Sequence, residues 1–173
     1  MRQKAYSLVE ILIVIAVFAV LSIVSTMVIQ TVLKNANKTQ SQINVRENLG
    51  YVMSVIERQL QLSKGITVCP IIDPYKVDFT SETGVAASFV CENIGLTDPQ
   101  VASYSGVTTP ATKYRLTSSS VIIDYCNFSC THTLGQRDLV KFSISGHQLN
   151  NFEAEGATVV MQTEILLRNY SKY

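Results

Sequence analysis

The sequence predicts an α+β protein, a long N-terminal α-helix whose first half spans a membrane, packed on a C-terminal antiparallel β-sheet head. Three observations predict it. From Ile11 to Leu33, 23 consecutive residues carry no charge, no Pro and no Gly. Val45, Leu49, Val52, Ile56 and Leu60 then recur at spacings of four, three, four and four, which is one face of a helix. After Gly65 the pattern changes to short runs of Val, Ile, Thr and aromatic residues, divided by Gly, Pro, Ser and Asn.

The bulk numbers fit this division. The 173 residues are 47% hydrophobic and 16% charged, too apolar for a disordered chain and too short for several domains. The formal net charge is +1, whereas a dedicated nucleic-acid binder is far more basic, so a nucleic-acid partner is not expected. Residues 34–64 hold five basic and two acidic residues, and residues 65–173 hold seven basic and ten acidic, so a positive stem carries a mildly acidic head.

The N-terminus opens Met1-Arg2-Gln3-Lys4-Ala5, short and basic, before Tyr6-Ser7-Leu8-Val9-Glu10 and the apolar block. At about 1.5 Å per residue the block crosses a hydrocarbon layer of about 30 Å. It is longer than the core of a secretory signal, and no small-residue cleavage site follows it. Glu10 is the odd residue, a carboxylate at the edge of an uncharged helix. It lies in the headgroup zone, favours the helix dipole from the first turn, or meets a positive charge from another chain.

The run from Lys4 to Ile15 resembles the class III signal of type IV prepilins and pseudopilins: a short basic leader, a small residue, an aromatic residue, then a Glu before an uninterrupted apolar helix. The resemblance is detailed only as far as the end of the apolar block, and beyond it extends to architecture alone. It implies a type IV pilin-like fold and a peptidase cut between Ala5 and Tyr6 on the cytoplasmic side, with methylation of the new Tyr6 amine. It also implies docking of Glu10 to the N-terminal amine of a neighbouring subunit. The implied partners are a prepilin peptidase, other pilin or pseudopilin subunits, an inner-membrane assembly platform, and the bilayer before assembly. The implied location is the bacterial cytoplasmic membrane, single-pass with the head extracytoplasmic, then a filament at the cell surface or in the periplasm. Three departures stand out. Ala5 replaces the usual Gly, Tyr6 the usual Phe, and Met27 the helix-bending Pro of many major pilins. The last leans toward a minor pilin or minor pseudopilin.

On this reading residues 1–5 are a leader, 6–33 a transmembrane and filament-core helix, 34–64 its amphipathic continuation, and 65–173 the head. Gly50 interrupts the stripe at a cost near 1 kcal/mol, and the helix is expected to stop near Ser63-Lys64-Gly65 with Gly65 as its C-terminal residue. Strands are expected at 66–72, 75–80, 86–91, 113–117, 121–125, 139–145 and 157–167. In the last of these, Val159, Met161, Thr163, Ile165 and Leu167 form the covered face. Gly95 to Thr112 reads as one long surface loop.

Four cysteines, Cys69, Cys91, Cys126 and Cys130, all lie in the head, where an even number favours disulfides. Three connectivities are open, and short-range pairing gives Cys69–Cys91 and Cys126–Cys130. Zinc is the weaker alternative, with His132 beside Cys130 but a loose spacing. No nucleophile elbow, zincin pattern or phosphate loop surrounds His132 or His147, so neither a catalytic role nor a cofactor is expected. The function expected is that of a minor pilin or pilin-like structural subunit. The alternatives are a minor pseudopilin of type II secretion, a DNA-uptake pilin, which the acidic head disfavours, and a signal-anchored extracytoplasmic binding domain that never polymerises.

Overall fold

The computed structural model describes residues 8–68, 73–106, 112–131, 137–149 and 158–170. One helix, α1, runs over Leu8–Leu62 and precedes eight strands. Contacts divide the chain into two compact units, one up to Thr39 and one from Gln40 onward. Among the described residues the first unit is the apolar part of α1 and the polar segment 34–39 that follows it, and all its described side chains are exposed.

The second unit is built on the predicted stripe. Val45, Leu49, Val52, Ile56 and Leu60 are fully buried, with Ser41 and Met53 beside them. Helix termination differs from the expectation. The last turn is closed by Ser63, whose amide (3.1 Å) and hydroxyl (2.7 Å) both donate to the Leu60 carbonyl. Gly65 is the first residue of β1 instead, with Lys64 N already donating to Thr80 O at 2.8 Å.

The strands make two antiparallel meanders rather than the single sheet expected. Sheet A orders β1 (Gly65–Val68), β2 (Lys76–Thr80), β3 (Ala86–Glu92), β4 (Gln100–Ser105) and β5 (Thr112–Arg115). Sheet B orders β6 (Val121–Thr131), β7 (Arg137–Gln148) and β8 (Val159–Tyr170). Between β5 and β6 the chain is tied to the helix, since Ser118 N donates to Asn48 Oδ1 at 3.2 Å.

Both sheets and the helix stripe share one core. Sheet A contributes Val77, Phe79, Phe89 and Val101, and sheet B contributes Ile123, Phe128, Phe142, Ile144, Ile165 and Leu167. Two ring pairs anchor it, Phe79–Phe89 at 5.2 Å and Phe128–Phe142 at 4.5 Å, each within one sheet. The latter residues sit directly opposite in the β6–β7 register, the arrangement in which cross-strand aromatics contribute most. The alternation expected for the last strand holds: Val159, Ile165 and Leu167 are buried while Val160 and Leu166 face out.

Two strand expectations change. β4 lies inside the segment read as a loop. Its sequence, Gln-Val-Ala-Ser-Tyr-Ser, has little β-type bulk, yet it is an interior strand with Val101 and Ala102 fully buried. β6 runs six residues past the expected Tyr125 because its alternation slips: Val121, Ile123, Cys126 and Phe128 all face the core. A bulge between Ile123 and Tyr125 absorbs the extra residue, Asp124, and opposite it His147 Nδ1 lies 2.9 Å from the Asp124 carboxylate.

The structure also chooses among the open cysteine pairings. Cys91 of β3 bonds to Cys126 of β6, which excludes the short-range pairs Cys69–Cys91 and Cys126–Cys130. Cys130 is disulfide-bonded as well, and Cys69 lies outside the described residues. The reason is positional. Cys91 and Cys126 are both inward on different sheets, and the core brings their Cα atoms to 6.1 Å. Closing 35 residues of chain contributes about 3–4 kcal/mol on the loop-entropy account. It is a covalent tie between two sheets that share no strand pair.

Two glycines give opposite expectations. A Cβ on Gly146 would lie 2.5 Å from the Ile122 carbonyl oxygen, on the β6 side of the bulge. A Cβ on Gly50 would meet nothing within 4 Å, in the middle of α1. Gly146→Ala should therefore destabilise the head by about 1–3 kcal/mol, and Gly50→Ala should stabilise it by about 0.5–1 kcal/mol. Urea unfolding of the full chain in detergent, followed by circular dichroism, checks both signs.

Candidate functional site

The site is the N-terminal part of α1, and its chemistry is that of an uncovered apolar cylinder. Leu8, Val9 and the large apolar residues from Ile11 to Leu33 are 53–75% exposed. Such a continuous surface far exceeds what an isolated soluble chain leaves open to water. By length and composition α1 is apolar enough to cross a membrane. The hydroxyls of the apolar block are prepared for that environment, whereas the amide of Gln30 is its one other polar side chain. The four hydroxyls of the block, on Ser22, Ser25, Thr26 and Thr31, each donate to the carbonyl four residues earlier at 2.8–2.9 Å. None of them needs water.

Glu10 lies in the first turn of α1, exposed, where the helix dipole favours a carboxylate. Ala5 and Tyr6 lie outside the described residues. The chain therefore presents one acidic group at the start of an apolar surface.

The family model described as the prokaryotic N-terminal methylation motif matches residues 1–26. The chain carries a prepilin-type signal. It is the signal of a type IV pilin-like or pseudopilin-like precursor, and with the apolar helix behind it, it points to membrane anchoring. The motif implies processing by a prepilin peptidase and assembly with other pilin subunits. No curated protein and no solved structure matches the chain.

The other residues singled out in the sequence are dispersed by the fold. The disulfide takes Cys91 and Cys126 out of any zinc set, because neither sulfur retains a thiolate. His132 lies outside the described residues, and His147 faces Asp124 at the β6 bulge, where it braces a strand irregularity.

Two features of the head carry no sequence signal. The first is a polar clamp across β3, β4 and β5. The Glu92 carboxylate accepts hydrogen bonds from Gln100 Nε2 at 2.8 Å, from Lys113 Nζ at 2.6 Å and from the Tyr104 hydroxyl. Lys113 also lies 5.9 Å from the centroid of the Tyr104 ring. Burial works to raise the Glu92 carboxyl, but the Lys113 and Tyr104 donors, the Lys113 charge and Gln100 outweigh it and hold it below the ordinary carboxylate value. The same bonds push the Tyr104 hydroxyl and the Lys113 ammonium upward. A carboxylate with three donors is already satisfied, so the clamp is structural.

The second is the β3–β4 loop. Asn93 and Asp98 both adopt φ of 57°, a left-handed conformation that Asn and Asp take more readily than other non-glycine residues. The loop is pinned. Arg115 Nη1 contacts both Asp98 carboxylate oxygens at 2.9 and 3.0 Å, and Arg115 Nε donates to Thr117 O at 2.8 Å. Leu96, with its amide on Asn93 O at 2.9 Å, is held out from this loop at 72% exposure. In the sequence Leu96 stands between Gly95 and Thr97-Asp98, with nothing to mark it as exposed.

The clamp sets an acid dependence. Because the folded Glu92 value lies below the unfolded one, its stabilisation is fully present above the unfolded carboxylate value and is lost as pH falls through the folded one. Glu92→Gln should lower stability at neutral pH and flatten the loss of stability on acidification. Urea unfolding across the acid range reads both effects.

Proposed function

We propose that the chain is a minor pilin-like structural subunit of a type IV filament, cut between Ala5 and Tyr6, methylated on the Tyr6 amine, and docked into its neighbours through α1. The observation that carries this reading is the exposed, uncharged helical block with Glu10 at its start, behind a matched N-terminal methylation motif. Lipid covers the block first, and neighbouring α1 helices cover it after extraction.

Electrostatics gives Glu10 its role. In a core made of such helices, an unpaired carboxylate and an unpaired N-terminal ammonium are both costly, and bringing them together relieves both. A buried pair of this kind sets register more than it adds stability. The four hydroxyls stay bonded within the helix as the block moves from lipid to protein, which leaves the Gln30 amide as the polar group that must find a partner.

Met27 supports the minor class: it stands where many major subunits have Pro, and α1 runs unbroken through it.

Two measurements test the reading. Mass spectrometry of the mature protein should find an N-terminus at methylated Tyr6, and an intact Met1 would overturn the proposal. Glu10→Ala should leave membrane insertion intact and abolish co-assembly with partner subunits. Normal assembly of the Glu10 variant would refute the docking role.

A further inference from the structure

One polar side chain of the apolar block stays unmatched within its own helix. Ser22, Ser25, Thr26 and Thr31 each bond to a carbonyl of α1. Gln30 is exposed and its side chain makes no hydrogen bond among the described residues. Its amide carries two N–H donors and a carbonyl acceptor, and in hydrocarbon each unmet group is costly. The headgroups are poorly placed to meet it. Side chains of an α-helix lean toward its N-terminus. Gln30 stands three residues before the end of the block at Leu33, so its amide leans away from the nearer headgroups and back toward Thr26. Thr26 gives the Gln30 carbonyl no proton, because its hydroxyl already donates to Ser22 O at 2.8 Å. A neighbouring helix must therefore bring both a donor and an acceptor to this depth.

We propose that Gln30 pairs with Gln30 of a second copy of this chain, so that two parallel α1 helices associate in the membrane through reciprocal amide hydrogen bonds. Depth selects this occupant. Two copies with the same flanking charges insert the same way, and the same apolar block holds each Gln30 at the same level. An amide is self-complementary, so each N–H meets the other carbonyl and both carbonyls are satisfied. The helix face agrees. At the spacing of two packed parallel helices, the positions that share a seam with Gln30 are Ala16, Ala19, Ile23, Thr26 and Leu33. They hold both alanines of the block and no charge, so the backbones approach closely on that side. The pair deepens the filament reading, because it rests on α1 crossing a bilayer. It is separate from the Glu10 docking, since Gln30 lies about 30 Å further along the helix. It needs neither extraction nor a processed N-terminus, so the chain stands as a pair in the membrane before any assembly.

Cysteine cross-linking of the full-length chain, in membranes of producing cells, tests this. No described cysteine is free, so an introduced thiol is distinguishable. Ile23→Cys lies seven residues before Gln30, about 20° from it around the helix. Val28→Cys lies about 160° away. On oxidation Ile23→Cys should give a dimer and Val28→Cys should not. Adding Gln30→Leu should cut the Ile23→Cys dimer by about threefold or more, the loss expected for an interhelical hydrogen bond in a membrane. Resistance to carbonate extraction should persist, since leucine inserts more readily than glutamine. Gln30→Asn, which keeps the amide, should retain more dimer than Gln30→Leu, and Glu10→Ala should leave the dimer intact.

Equal yields from the two thiols, no dimer from Ile23→Cys, capture only of a different protein, or indifference to Gln30→Leu would each overturn the proposal. The two readings fail separately. A methylated Tyr6 terminus with Glu10-dependent assembly but no Gln30-dependent dimer removes the amide pair alone. A Gln30-dependent dimer of a chain that keeps Met1 removes the filament reading and leaves the pair standing.

Discussion

Everything in the head depends on one stripe of five side chains. Val45, Leu49, Val52, Ile56 and Leu60 are fully buried, and the inner faces of both sheets close over them. Among the described residues the sheets share no strand pair, and the stripe packs with side chains of both in one core. Truncating one such residue removes the transfer free energy of the side chain and leaves a cavity, together about 2–5 kcal/mol for Leu. That is a large fraction of the stability of a domain this size. The Cys91–Cys126 bond and the Ser118–Asn48 hydrogen bond secure an arrangement that the stripe has already chosen.

The same helix carries the opposite instruction before Thr39. Residues from Ile11 to Leu33 are as apolar as a core, yet they face outward on every side. A surface of this kind is stable only against lipid or against other helices. The hydrophobic effect thus folds one part of α1 and drives the other toward a membrane or an assembly. Glu10 marks the start of the second part, because it is the charge that any such burial must accommodate.

What was legible in the sequence follows physical range. The stripe, the apolar block and the last strand could be read because helical and strand periodicity is a local property. β4 could not, because Gln100–Ser105 is held by two neighbouring strands rather than by its own propensity. The end of β6 was hidden by the slip at Asp124, which breaks period two until the bulge is known. Disulfides were legible from four cysteines in the head, but their pairing was left open, because packing of the two sheets decides which sulfurs meet. At the functional end, Glu10 was visible as a charge in the wrong company. Leu96 was not, because the loop that carries it is held by the Asp98–Arg115 ion pair, which joins the β3–β4 loop to β5.

The β3–β4 loop shows how such distant contacts shape a surface. A leucine on a mobile loop is weak evidence for anything, since it can fold back on the nearest apolar surface. Here two left-handed residues fix the path of the chain, and the Arg115 fork to Asp98 holds that path open. Asn and Asp are the residues besides glycine that take the left-handed region readily, so the loop follows this path without strain and its hydrogen bonds and ion pair hold Leu96 exposed.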